Sequence, residues 1–177
     1  MCGIILSGSA IKLLDNLLDG DTLLPPEKRL NLTAYTILFL AMGTALSPSY
    51  AAALFLAAYA VGMVKAGDDI FPLGFGSMES AAILLFSLLF IGGRTFLFSL
   101  AVMMAVQLAD DLADVRRDKL HGQDNLAVRF GTVEAVLALL ITSLSALTLD
   151  AVGTVLVIAS VPVSLCIATM FERKMLC

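Results

Sequence analysis

The densest group of chemically active side chains lies in residues 110–124, which read DDLADVRRDKLHGQD. Five of the 15 acidic residues of the chain fall here, together with three basic ones. Asp111, Asp114 and Asp118 have the i, i+3, i+7 spacing that places side chains on one face of a helix. Three carboxylates on one face repel one another unless a cation lies between them. Oxygen ligation of this kind suits Mg²⁺, which commonly takes one or two carboxylates plus substrate phosphates.

Two interpretations of this acidic group are open. In one, it is a solvated loop in which the basic residues pair with the acids. In the other, it is a functional site, because it continues directly from the apolar residues 105–109, AVQLA. Ionisable groups at the membrane end of an apolar helix are costly and therefore indicate function. The single histidine, His121, and three cysteines without a C-x-x-C pair argue against zinc or copper.

A second acidic group, DNLLDGD, occupies residues 15–21. Asp15 and Asp19 are spaced i, i+4 and share a helix face, and Lys28 and Arg29 follow shortly after. Two carboxylate groups that meet across a helix bundle, with cations nearby, could bind a diphosphate through bridging Mg²⁺. The alternative is a helix end that runs into a polar turn, although aspartate at a helix C-terminus opposes the macrodipole.

Lys65, with Asp68 and Asp69 after it, forms a third polar element. A lysine here can contact a phosphate as a point charge. The alternative is an interfacial lysine whose apolar stem lies in the bilayer while its ammonium group reaches water.

The composition is that of an integral membrane protein. Of the 177 residues, 59% are hydrophobic and only 15% are charged, and the mean hydropathy is +0.96. Soluble domains are nearer 45–50% apolar and about 25% charged. The net charge of −4, without a basic stripe, excludes a nucleic-acid partner. We therefore exclude a soluble globular enzyme and a disordered tail, and expect membrane lipids to surround the chain.

Hydropathy and the positions of charges predict an all-α transmembrane bundle of about seven helices in a single domain, 1–177. Leu30 to Val64 carry no charge, and Ser47-Pro48-Ser49 divides this run into two helices. A single long, kinked helix is the alternative for this run. The predicted helices are 3–18, 31–47, 49–66, 78–92, 95–115, 133–149 and 151–171.

The basic residues then predict the orientation. With seven spans, nine basic residues lie on one side of the membrane and only Arg94 on the other. The positive-inside rule makes the richer side cytoplasmic, and both acidic groups lie on it. The nine residues are Lys28, Arg29, Lys65, Arg116, Arg117, Lys119, Arg129, Arg173 and Lys174.

The motifs resemble those of the UbiA superfamily of intramembrane prenyltransferases. Asp111-x-x-Asp114-x-x-x-Asp118-x-x-x-Gly122, followed by the tail NLAVRFG at residues 125–131, looks like the second aspartate motif of that family. Residues 15–23 are similar to its first motif, N-D-x-x-D-x-x-x-D. The stretch from Tyr59 to Lys65 resembles its Tyr…Leu-Lys segment.

The resemblance implies a Mg²⁺-dependent transferase of isoprenoid groups. A prenyl diphosphate would be the donor, and a small hydrophobic or aromatic compound, such as a quinone precursor, the acceptor. Asp111, Asp114 and Asp118 would be the catalytic residues and hold one Mg²⁺. Asp15 and Asp19 would hold another together with Asn16, which would also bind substrate. Lys28, Arg29 and Lys65 would contact the diphosphate.

The chain also departs from the family pattern. It is shorter than usual members, Asp15-Asn16 stands where Asn-Asp is usual, and Leu23 occupies the place of the last aspartate, for which Asp21 is the candidate substitute. These departures leave open a non-catalytic or partner-dependent member acting as a membrane subunit. A CDP-alcohol phosphatidyltransferase is a weaker alternative, because Asp19-Gly20 lacks the Ala-Arg of that motif. The membrane composition argues against a soluble trans-prenyl synthase.

Overall fold

The computed structural model of the chain describes residues 1–18, 26–66, 76–121 and 125–176. Within these ranges the backbone forms eight α-helices and no strand, which confirms the all-α prediction. The helices are α1 (Cys2–Leu18), α2 (Pro26–Leu46), α3 (Pro48–Ala66), α4 (Gly76–Phe90), α5 (Gly93–His121), α6 (Leu126–Phe130), α7 (Thr132–Leu149) and α8 (Ala151–Leu176).

The predicted division at Ser47 is present, since α2 ends at Leu46 and α3 begins at Pro48. Proline is suited to the first position of a helix, where its missing N–H has no intrahelical partner to lose. Three bounds differ from the prediction by five residues or more: α2 begins at Pro26, α5 continues through the charged residues to His121, and α8 continues to Leu176. The short helix α6 was not predicted.

Among the described residues, four helices are long and apolar enough to cross a membrane, and the chain is therefore a membrane protein. The segments are Glu27–Leu46, Gly93–Leu120, Thr132–Leu149 and Ala151–Phe171. Pro48–Gly62 is a shorter apolar helix. The seven-span topology and the cytoplasmic position of the basic residues stay predictions.

The chain divides into two compact units, residues 1–55 with 155–177, and residues 56–154. In the first unit, α1 and α2 cross at small residues. A Cβ atom on Gly43 would lie 2.5 Å from the Ser7 Oγ and 3.0 Å from the Gly3 carbonyl oxygen. The Ser164 hydroxyl of α8 donates to the Ile5 carbonyl of α1 at 3.0 Å. One core cluster of this unit consists of Ala10, Leu13, Leu32, Phe39 and Ala168.

In the second unit, α5 packs against α7, with Leu108, Ala127 and Ala135 buried between α5, α6 and α7. The far end of α7 is held by Arg94, whose Nε and Nη2 donate to the Leu149 carbonyl at 3.2 and 2.9 Å. These bonds satisfy a carbonyl at a helix C-terminus that has no intrahelical partner. The division into two compact units does not test whether residues 1–177 form a single domain, which stays a prediction.

Candidate functional site at the end of α5

All three aspartates of the second motif lie in α5, near its C-terminal end. Asp111 is buried, with 3% of its surface exposed, whereas Asp114 and Asp118 are half-buried. The helix runs without interruption from its apolar part into this acidic end. The i, i+3, i+7 spacing is therefore realised on a real helix, with one carboxylate turned into the protein and two nearer its surface.

Both oxygens of the Asp111 carboxylate accept hydrogen bonds from protein groups. Gln107 Nε2, one turn earlier in α5, donates to Oδ1 at 3.1 Å. The backbone N–H of Leu126, the first residue of α6, donates to Oδ2 at 3.0 Å. A buried carboxylate needs such donors, because an uncompensated buried charge is very costly.

Asn125 joins the motif to its tail. This side chain is 1% exposed, and its Nδ2 donates to the Asp111 backbone carbonyl at 2.8 Å and to Asp118 Oδ2 at 2.5 Å. Its Oδ1 accepts from the backbone N–H groups of Ala127 at 2.8 Å and Val128 at 3.3 Å. The amide nitrogen thus faces two acceptors and the amide oxygen two donors, so the amide has only one favourable orientation.

These contacts explain why a helix of only five residues forms after Asn125. An isolated helix of this length is unstable in water, and its first four N–H groups have no intrahelical partner. Here Asp111 accepts from Leu126, and the Asn125 side chain accepts from Ala127 and Val128. The Arg129 N–H donates to the Asn125 carbonyl at 2.9 Å. Every N–H of the first turn is therefore paired.

Gly131 completes the connection between α6 and α7. Its φ is +110°, a conformation that L residues with a side chain rarely adopt. The tail NLAVRFG therefore consists of a cap, a helical turn and a glycine bend. Gly122, the glycine of the motif, lies outside the described residues.

The donor set of the second motif fits Mg²⁺ only in part. Among the residues that the structure describes, no three acidic, histidine or cysteine side chains are grouped as a metal site. Asp114 makes no hydrogen bond or ion pair with any described residue, and Asp118 has one oxygen held by Asn125. Mg²⁺ commonly uses one or two carboxylates plus phosphate oxygens. Asp114 and the second oxygen of Asp118 are the more accessible donors of this kind, and Asp111 is 3% exposed. The ligand role of Asp111 stays a prediction.

The first acidic group belongs to the other compact unit. Asp15 is exposed, and its Oδ2 accepts from Lys12 Nζ at 3.1 Å, one turn earlier in α1. An exposed ion pair of this kind contributes little to stability. Asn16 is half-buried in the same helix.

The remaining predicted residues have no shared arrangement that can be described. Lys28 is half-buried and Arg29 exposed in the first turn of α2. Asp19, Asp21 and the side chain of Lys65 lie outside the described residues.

Three side chains with clear roles at these groups were missed by the sequence analysis. They are Asn125, Gln107 and Lys12. Asn125 carried a usable signal, since asparagine before an apolar helical run is a preferred N-cap. Gln107 and Lys12 stand one turn before Asp111 and Asp15, a spacing at which side chains on a helix meet.

Comparisons with protein families, curated proteins and solved structures found no match for this chain. The UbiA resemblance therefore rests on the motifs in the sequence.

Proposed function

We propose that this membrane protein is a prenyltransferase of the UbiA type. It would transfer a prenyl group from a prenyl diphosphate to a small hydrophobic or aromatic acceptor. The proposal is supported chiefly by the end of α5, where a membrane-length apolar helix carries Asp114, a half-buried carboxylate with no partner among the described residues. An ionisable group in such a place is energetically costly, and its presence therefore indicates a function.

The reaction breaks the bond between the allylic carbon and the diphosphate oxygen of the donor. Diphosphate leaves with the electron pair, the acceptor forms a new bond to the allylic carbon, and the acceptor loses a proton. Mg²⁺, held by Asp114 and the second oxygen of Asp118, would supply positive charge to the leaving diphosphate. The apolar surfaces of the helices suit the prenyl chain, and the polar end of α5 suits the charged head group.

The other roles come from the resemblance alone. It assigns Asp15, Asn16 and Asp19 to a second Mg²⁺, and Lys28, Arg29 and Lys65 to the diphosphate oxygens. Cations that approach a leaving phosphate stabilise the charge that develops there. A cytoplasmic position for these residues is part of the same proposal.

The first test is direct binding of a radiolabelled prenyl diphosphate to the purified protein in detergent. We expect saturable binding in Mg²⁺ that EDTA abolishes. Asp114→Asn keeps the size of the side chain but removes its charge, and we expect it to abolish the Mg²⁺-dependent binding without lowering the thermal unfolding midpoint. Unchanged binding in Asp114→Asn would contradict the assignment of this residue.

Asp150→Asn is a matched control for that variant. Asp150 lies at the far end of α7, about 27 Å from its start at 1.5 Å per residue. It caps α8 by accepting the Gly153 N–H at 2.9 Å, and asparagine caps a helix equally well. Binding by Asp150→Asn should equal that of the unmodified protein, so a loss there would indicate a general effect of removing a carboxylate.

A non-catalytic membrane subunit is the alternative, and the contacts of two predicted metal ligands favour it. Asp111 has both oxygens occupied by protein donors, and Asp15 is paired with Lys12. Such contacts hold these carboxylates without a metal, so they suit a protein that has lost its metal site. Absence of EDTA-sensitive binding in a protein that unfolds cooperatively would support this alternative.

A further inference from the structure

The three aspartates of the second motif are not equivalent in their surroundings. Asp111 is 3% exposed and accepts bonds from Gln107 and from the Leu126 N–H. Asp114 is half-buried and has no partner among the described side chains and backbone groups. Asp118 lies between these cases, with one oxygen bound to Asn125. The motif therefore contains one buried carboxylate, Asp111, and two more exposed ones, Asp114 and Asp118.

We propose that Asp111 is a positioning residue and not a metal ligand. It anchors α6 to α5 and, through Asn125, fixes Asp118 next to Asp114. This inference rests on the proposed function, because it divides the roles of one aspartate motif between support and ligation. The family resemblance implies that Asp111 binds Mg²⁺, whereas this inference makes Asp111 a support for the residues that bind it.

The anchoring follows from the position of Asp111 between two elements. Its carboxylate holds the first N–H of α6, and its backbone carbonyl accepts from Asn125 at 2.8 Å. The same Asn125 amide nitrogen then reaches Asp118 Oδ2. One side-chain amide thus connects the backbone at Asp111 with the carboxylate two turns later, so the orientation of Asp118 depends on the docking of α6.

Ligation by Asp111 would require this part of the protein to open. Each oxygen keeps a lone pair after accepting its hydrogen bond, but Asp111 is only 3% exposed, whereas Asp114 and Asp118 are half-buried. A metal ion with its water or phosphate ligands therefore has far less room at Asp111 than at the other two carboxylates. Around metal sites, residues that do not bind the metal commonly hydrogen-bond to the residues that do, and so orient them.

Three variants separate the two roles. Asp111→Asn keeps an oxygen for the Leu126 N–H, and its amide nitrogen can donate to Gln107 once that amide turns. Asp111→Ala removes both acceptors, and Asp114→Asn serves as the ligand-loss reference. For each variant, two quantities are measured in detergent: the thermal unfolding midpoint, and the Mg²⁺ concentration for half-maximal binding of a labelled prenyl diphosphate.

We expect Asp111→Asn to keep the stability and the Mg²⁺ requirement that Asp111→Ala loses. Asp111→Asn should keep the unfolding midpoint and stay within about threefold in Mg²⁺ requirement, well below the roughly 10–100-fold loss typical when an outer-shell partner is removed. Asp111→Ala should lower the midpoint and raise the Mg²⁺ requirement by about tenfold or more. Asp114→Asn should raise the requirement beyond measurement at an unchanged midpoint.

Two results would overturn the inference and leave the proposed function intact. If Asp111→Asn raises the Mg²⁺ requirement as far as Asp114→Asn does, Asp111 is a ligand. If Asp111→Ala matches the unmodified protein in both quantities, Asp111 does not anchor α6. Absence of Mg²⁺-dependent binding in the unmodified, folded protein would overturn the proposed function itself and this inference with it.

Discussion

Asn125 uses every hydrogen-bonding atom of its side chain inside the protein. Its nitrogen donates to the Asp111 carbonyl and to Asp118, and its oxygen accepts from two N–H groups of α6. An N-cap of this kind is commonly replaced by aspartate or serine, because only the acceptor matters. At this position the two N–H donors of the amide matter as well, so neither aspartate nor serine should replace asparagine without a loss of stability.

We therefore predict that Asn125→Asp destabilises the protein. Aspartate preserves the cap but removes the amide donor from the buried Asp111 carbonyl, at a cost of about 1–3 kcal/mol. It also brings a second carboxylate against half-buried Asp118. The thermal unfolding midpoint in detergent measures this loss.

The double variant Asn125→Asp with Asp118→Asn exchanges donor and acceptor between the two positions, and serves as the control. It should recover part of the lost stability, because the amide introduced at position 118 can then donate to the carboxylate introduced at position 125. A stable Asn125→Asp protein, or a double variant no better than the single one, would show that only the cap matters.

The sequence could predict the placement of the acidic motif but not the environment of each residue. The spacing of Asp111, Asp114 and Asp118 is sufficient to place them on one helix face. The burial of Asp111 depends on Leu126, 15 positions later, whose N–H reaches back to it. A contact between separate elements leaves no periodic signal in the residues that make it.

At the scale of elements, the crossing of α1 and α2 depends on the absence of side-chain atoms. A Cβ on Gly43 would approach the Ser7 Oγ to 2.5 Å and the backbone of Gly3 and Ser7 to 3.0 and 3.2 Å. The hydroxyl can turn away, but the backbone atoms cannot. Small residues at such crossings allow helices in a membrane to pack by van der Waals contact.

Gly43→Ala should consequently force the two helices apart and cost about 1–3 kcal/mol of stability. Gly62→Ala in α3 is the matched control, because a Cβ there would meet no atom of the described residues within 4 Å. Alanine at that position should leave stability unchanged or raise it by up to about 1 kcal/mol through helix propensity. Equal thermal unfolding midpoints for the two variants would contradict this account of the crossing.

The sequence predicted those helices whose ends are marked by a change in hydropathy or by a helix-breaking residue. It missed the helical residues that lack such a mark. The Ser47-Pro48 division needed only local information. The extension of α5 to His121 was missed because a run of mixed charges resembles a loop. The helix α6 was missed because five residues are too few to show a period, and its stability comes from Asp111 and Asn125.

At the scale of the whole molecule, the apolar residues are distributed differently from those of a soluble protein. Large apolar side chains of α7 are exposed along its length, and its membrane-length segment is only 11% buried. The exposed residues are Val133, Val136, Leu137, Leu140, Ile141, Leu144 and Leu147. Soluble monomers rarely expose contiguous apolar surface on this scale, so lipid is the expected surrounding of this helix.

Spin labels along α7 test that surrounding. In a variant without the native cysteines, reconstituted in lipid vesicles, a label at Leu140, which is 53% exposed, should collide readily with dissolved oxygen and rarely with a water-soluble nickel chelate. A label at exposed Thr132, the first residue of α7, should show the reverse, because about 12 Å of helix separates the two positions at 1.5 Å per residue.

A label at Ala146, which has no exposed surface, is the control and should collide rarely with either reagent. If the label at Leu140 met the nickel chelate as often as the label at Thr132 does, α7 would lie in water, and a membrane-spanning role for this helix would be wrong. A gradient of accessibility from Thr132 to Leu140 would instead establish the depth of α7 in the bilayer.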